Sequence, residues 1–151
     1  GLELACWCDL RVADPQSIFG VFCRRWGVPL IDGGTVNLPR LIGHSHAMDM
    51  ILTGRPVGAV EALAFGLINR IAKEGYARIE AEQMAEQIAS FPQKCLRSDR
   101  RSVISQWSLT QDHAYHHEYI LGKEVMEEAV AGAKKFSEDG MGRSGTYEDF
   151  Y

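Results

Sequence analysis

The stretch Gly1-Leu2-Glu3-Leu4-Ala5-Cys6-Trp7-Cys8-Asp9-Leu10-Arg11-Val12-Ala13 decides how the rest of the chain is read. Residues 1–8 read as the first turns of a helix. Leu4, Ala5 and Trp7 are apolar, and Gly1 stands where a helix N-terminus can approach a ligand closely. Asp9 to Ala13 alternates apolar and polar residues, which predicts a short strand, and Asp14-Pro15 ends it. The helix begins with neither an initiator Met nor a cap before it. That pattern reads as a cut through a motif, so the chain is expected to be a fragment.

Working outward, Ser17 to Val21 is a second strand candidate, and Phe22-Cys23-Arg24-Arg25-Trp26-Gly27-Val28-Pro29 is loop-like at its end. Gly33-Gly34-Thr35 opens a new element that Gly43 closes. Ser45 can cap the next helix, which runs to Gly54. Val60 to Phe65 reads as a short helix stopped by Gly66, and Leu67 to Ile71 as a short apolar strand. From Tyr76 onward the pattern is helical, with helices expected over about 93–107 and 109–131. The last dozen residues are Gly-rich and polar, then aromatic. Three short strands cannot cover their own apolar faces, which again points to a fragment of an α/β fold.

Composition narrows the function classes. The 151 residues are 46% hydrophobic and 24% charged, the balance of a globular domain. The net charge of −4 leaves no basic surplus for phosphates, so no nucleic-acid partner is expected. No run of about eighteen apolar residues occurs, so no membrane span is expected, and no signal peptide is visible. Cys6, Cys8, Cys23 and Cys95 fit no zinc template and read as reduced, mostly buried thiols of an intracellular protein. Cys6 and Cys8, two apart, would face different sides of a helix.

Several motifs in order then resemble one family. Gly1-Leu2-Glu3-Leu4-Ala5 with Cys8-Asp9-Leu10-Arg11-Val12-Ala13 resembles the Gly-Gly-Gly-x-Glu-Leu-Ala run and Cys-Asp strand of the enoyl-CoA hydratase/isomerase family, the crotonases. Ile18-Phe19-Gly20 resembles the following strand. Gly33-Gly34-Thr35 with Leu38-Pro39-Arg40-Leu41-Ile42-Gly43, Leu52-Thr53-Gly54-Arg55 and Glu61 to Asn69 continue the match to about residue 71. The resemblance implies a crotonase-like (ClpP/crotonase) α/β fold, a partial ββα spiral from the C-terminal half. Residues 1–71 would belong to the spiral core and residues 72–151 to a helical C-terminal region that builds a homotrimer or hexamer. It also implies an acyl-CoA substrate and no cofactor, since the CoA thioester is itself the substrate. In that family two backbone N–H groups stabilise charge on the thioester oxygen. By the resemblance this chain starts one residue after the first donor glycine, and the second donor lies earlier still. The reading places the protein in cytoplasm or mitochondrion without choosing between them.

The resemblance also assigns the acid–base residues. Enoyl-CoA hydratases use one carboxylate to activate water and another to handle the α-carbon proton. Glu3 aligns with the first. The second falls at Cys23, where a thiol replaces the expected Glu. Asp32, directly before Gly33-Gly34-Thr35, resembles the Asp of dienoyl-CoA isomerases and offers a substitute. The plainer readings are that Glu3 is a first-turn carboxylate and that Asp32 caps the helix starting near Gly33. Gly1, Cys23, Arg24, Trp26 and Lys134 are candidate substrate contacts. Arg24 and Arg25 would hold a carboxylate ionised or bind an acidic acyl group. Trp26 would be core or pocket wall, and Lys134 with Lys135 would reach the CoA phosphates or form a solvated basic pair. His113 and His117 share a helix face, His116 lies beside them, but no His-Glu-x-x-His pattern exists and no metal is expected. The competing reading is a catalytically inactive or truncated family member that serves as an oligomerisation partner.

Overall fold

The computed structural model describes residues Gly1–Glu138; residues 139–151, the Gly-rich and aromatic end of the expected helical region, lie outside the described residues. The chain divides into two compact units, Gly1–Glu86 and Gln87 onward.

The first unit begins with α1 (Leu2–Trp7), closed at its start by the Ala5 N–H donating to Gly1 O at 3.0 Å. The strands are shorter than the sequence pattern predicts, two residues each. β1 (Val12–Ala13) pairs in parallel with β4 (Arg70–Ile71), and β2 (Ile18–Phe19) pairs antiparallel with β3 (Val57–Gly58). Between them lie a 3₁₀ turn (Phe22–Trp26), α2 (Gly34–Thr53) and α3 (Ala59–Phe65). α2 breaks at Gly43, whose φ of 78° and ψ of 164° fit glycine alone, at the position where the sequence stops one helix and starts another. Gly66, at φ 79°, closes α3, with the Leu67 N–H returning to Ala62 O at 2.8 Å.

Leu38, Met50, Val57 and Leu67 are fully buried, and Ala47, Ala59 and Ala62 fill the small spaces among them. Cys6 faces this core while Cys8 is exposed, as their spacing predicts. Cys23 and Cys95 are half-buried, so the thiols are free but not mostly buried. Burial pushes the Cys6 thiol above its ordinary range, although the nearby Arg11 charge opposes this.

α4 (Ala77–Ser90) leads to the second unit, which holds α5 (Gln93–Ser105), α6 (Gln111–Glu124) and α7 (Met126–Glu138). α5 and α6 pack together: Ser98 Oγ donates to Leu121 O at 2.9 Å, and Arg101 Nη2 meets Glu124 Oε2 at 2.8 Å. The single helix predicted for 109–131 is in fact two. Val125 ends α6, its N–H bonding back to Gly122 O, while its own carbonyl accepts from Glu128 and Ala129 to start α7. The restart accompanies a tertiary bond, Cys95 N–H to Glu128 Oε2 at 2.7 Å, that ties the first turn of α7 to the first turn of α5. No helix among the described residues is long and apolar enough to cross a membrane.

Candidate active site

α1 carries Glu3 and Trp7 four residues apart, hence on one face. That face meets the turn Asp32-Gly33-Gly34. Glu3 Oε1 accepts the Gly34 N–H at 2.8 Å and the Asp32 N–H at 3.1 Å. Gly34 is the first residue of α2, so Glu3 satisfies a donor that the helix itself leaves unpaired. Trp7 Nε1–H donates to Asp32 O at 2.7 Å. Both main-chain polar groups of Asp32 are therefore held by α1.

The paired glycines follow from these contacts. A Cβ on Gly34 would stand 2.7 Å from Glu3 Oε1, closer than such atoms tolerate. Gly33 has a φ of 94°, and a Cβ there would meet the Trp7 ring at 3.0 Å. The structure thus brings Glu3 and Asp32 together, and it corrects the capping expectation. The side-chain bond at the start of α2 comes from Glu3, not from Asp32.

Gly1 has a different setting. With Leu2, Ala5, Ile18, Phe19, Gly20 and Phe22 it lines an open cleft of about 380 Å³. Positions 1, 2 and 5 of the α1 segment face this cleft, while positions 3 and 7 face the Asp32 turn. The helix separates the two features by part of a turn, and neither carboxylate lines the cleft.

The Phe22–Trp26 turn departs furthest from expectation. Arg24 Nε donates to Ile51 O at 3.0 Å, and Arg25 Nη2 to Gly54 O at 3.2 Å. Arg25 also lies over the Phe22 ring at 5.7 Å. Both guanidinium groups serve carbonyls at the C-terminal end of α2, where positive charge is favoured. Among the described residues neither Arg is paired with a carboxylate, the first of the roles expected of them; binding of an acidic acyl group is a separate expectation. Cys23 packs partly against the core. Trp26 is 83% exposed and is not a core residue.

Lys134 stands on α7 in the second unit, exposed, 3.8 Å from Glu138 Oε1. His113, His116 and His117 ride on α6, and no cluster of His, Cys, Asp and Glu suited to a metal exists among the described residues.

Two residues escaped the sequence reading. Trp7 is one; its spacing from Glu3 was the available signal. Arg11 is the other. It is only 9% exposed, and its guanidinium donates to Leu67 O at 2.6 Å, to Ala5 O at 3.3 Å and to Cys8 O. The last two carbonyls close α1, so Arg11 fixes the end of α1 opposite Gly1. A charge inside the predicted strand, between Leu10 and Val12, was the signal. Elsewhere, Arg55 bridges Asp49 and Glu61 at 2.7 Å each, which holds the Glu61 carboxyl below the usual carboxylate range.

Against this geometry, the sequence profile of the family described as Enoyl-CoA hydratase/isomerase matches residues 1–143. The chain is 35% identical over 103 residues to the short-chain-enoyl-CoA hydratase of Clostridioides difficile, covering 68% of this chain and 66% of that protein. It is 29% identical over 140 residues to the enoyl-CoA hydratase EchA19 of Mycobacterium tuberculosis, covering 91% and 53%. Among solved structures, the enoyl-CoA hydratase of Bacillus anthracis superposes with a TM-score of 0.86 at 28% identity, covering 92% of this chain and 55% of that one. The chain spans about half the length of the curated relatives it matches.

Proposed function

Because the chain belongs to the enoyl-CoA hydratase/isomerase family and has a partial crotonase fold, we propose that it works on acyl-CoA thioesters by proton transfer at the α-carbon. The observation that carries the reading is the bond between Glu3 Oε1 and the Asp32 N–H, which makes two acid–base residues neighbours. Relatives named as enoyl-CoA hydratases support the substrate class.

In this reading both backbone bonds fall on Glu3 Oε1, and Oε2 is the oxygen that takes a proton. For hydration, Glu3 removes a proton from water as its oxygen adds to the β-carbon, and an acid delivers a proton to the α-carbon. A thiol at Cys23 is a much weaker acid than a carboxyl and has a different reach. Asp32 therefore supplies that second group. The same pair can perform isomerisation, with one residue removing a proton and the other returning one elsewhere on the acyl chain. Gly1 forms part of the wall of the cleft that takes the thioester, and negative charge on the thioester oxygen is met by backbone N–H groups. Lys134 is a phosphate contact for the CoA nucleotide. The helices α5 to α7, of which α6 exposes Tyr115 and Tyr119 and α7 exposes Val130, act in homotrimer or hexamer assembly.

The test uses the natural full-length polypeptide and crotonyl-CoA. Glu3→Gln combined with Asp32→Asn should abolish turnover; turnover that persists overturns the reading. Cys23 in place of the family's Glu favours a second reading, an inactive assembly partner. That reading expects no thermal stabilisation by crotonyl-CoA, whereas a binding site raises Tm with ligand concentration.

A further inference from the structure

Trp7 plays no part in the reading above, yet it makes the closest polar contact to the Asp32 backbone, 2.7 Å from Nε1 to the carbonyl oxygen. We propose that Trp7 is a positioning residue that sets the place of Asp32 for proton transfer. The inference rests on the acid–base role given to Asp32.

Asp32 stands just ahead of α2. Its side chain is exposed, and the helix that follows is capped by Glu3 rather than by Asp32. Among the described residues its position is set through two main-chain bonds. Glu3 fixes the N–H side of that residue and Trp7 fixes the C=O side, from adjacent turns of one helix face. Two anchors on opposite sides of a residue restrain both its place and its rotation, whereas one anchor leaves it free to pivot.

Trp7 suits the task. An indole N–H is a donor only, so it selects a carbonyl without competing for the carboxylate. Its rigid ring also packs against Gly33, where a Cβ would come within 3.0 Å. The short α1 has six residues and gains little stability from its own bonds, so its register against the turn depends on such ties. A small displacement of a reacting group is enough to slow catalysis strongly.

Trp7→Phe keeps the ring and removes the N–H. In the full-length protein with crotonyl-CoA, it should lower kcat about fivefold to tenfold with little change in KM, in line with losing one neutral hydrogen bond. The same substitution made in an Asp32→Asn background should have almost no further effect, because residues acting as one unit are not additive. A merely structural Trp7 would slow both backgrounds equally, and that result overturns the proposal. Amide exchange gives a readout that needs no turnover. The Asp32 and Gly34 N–H groups should exchange at least several-fold faster in Trp7→Phe. Unchanged exchange at both removes the inference alone. Full turnover by Asp32→Asn removes the acid–base reading of Asp32 and the inference with it.

Discussion

Among the described residues, two helices receive a carboxylate from another element at their first turn. Glu3 of α1 accepts from Gly34 at the start of α2, and Glu128 of α7 accepts from Cys95 at the start of α5. The local bond is the same, and in both cases it satisfies an N–H that the helix leaves open. The surroundings differ. Around Glu3 stand Asp32, Trp7 and two glycines placed for close approach. Around Glu128 stand the Cys95 thiol, the charge of Asp99 and the Val125 break, and the N–H that Glu128 accepts belongs to a cysteine rather than to an acid. A capped helix start is therefore a structural device by default. It becomes a candidate site only where further reactive groups share it.

The sharpest way to break the first joint and spare the second is Gly34→Ala. The added Cβ would fall 2.7 Å from Glu3 Oε1, so the carboxylate must leave the Asp32 turn. Turnover of crotonyl-CoA by the full-length protein should fall by about tenfold to hundredfold. Stability should drop by about 1–3 kcal/mol, as for other overpacked sites. Steady-state kinetics and urea unfolding check the two effects. Unimpaired turnover would mean that the Glu3 position is irrelevant to the chemistry.

Arg11 offers a milder approach to the same joint from the other end of α1. Arg11→Met fills a similar volume but abandons the Leu67, Ala5 and Cys8 carbonyls. Leaving such acceptors unmet costs about 2–3 kcal/mol in total. The urea midpoint should fall with an unchanged slope, since the surface exposed on unfolding is the same. A change below about 0.5 kcal/mol, the size typical of surface substitutions, would show that Arg11 does not hold α1.

These roles explain what could be read in the sequence. Glycines and apolar spacing were enough for α1, α3 and the Gly43 break, because each is a local backbone requirement. The split at Val125 was not legible. Valine is tolerated in helices, and the restart is tied to a bond from Glu128 to a residue 33 positions away. The strands were overextended in the reading because alternation is local, while ladder length depends on partners elsewhere in the chain. Glu3 and Asp32 were singled out through ordered motifs, and Glu3 accepts the Asp32 N–H. The bonds of Trp7 and Arg24 could not be read because their partners lie 25 and 27 residues away, and both partners are backbone carbonyls, which no side-chain pattern marks.

Glu128 gives the smallest expected effect and tests the second joint alone. The Cys95 N–H holds its carboxyl below the usual carboxylate range, with burial opposing. The sign follows from linkage. A carboxyl with a depressed folded value binds fewer protons than in the unfolded chain, so folding is favoured above the ordinary glutamate value of about 4.3 and that advantage fades as pH falls. Asp14, held down by the Gly75 and Gln16 N–H groups, and Glu61, held down by Arg55, act in the same direction. Glu128→Gln should therefore lower stability slightly at neutral pH and flatten the loss of stability on acidification, leaving the contributions of Asp14 and Glu61 in place. Urea midpoints of wild type and variant across an acid series would converge as the pH drops. Parallel curves would show that the bond to Cys95 contributes nothing in solution. Turnover of crotonyl-CoA should not respond to Glu128→Gln at neutral pH, because the proposed acid–base pair is Glu3 with Asp32 and Glu128 is not part of it.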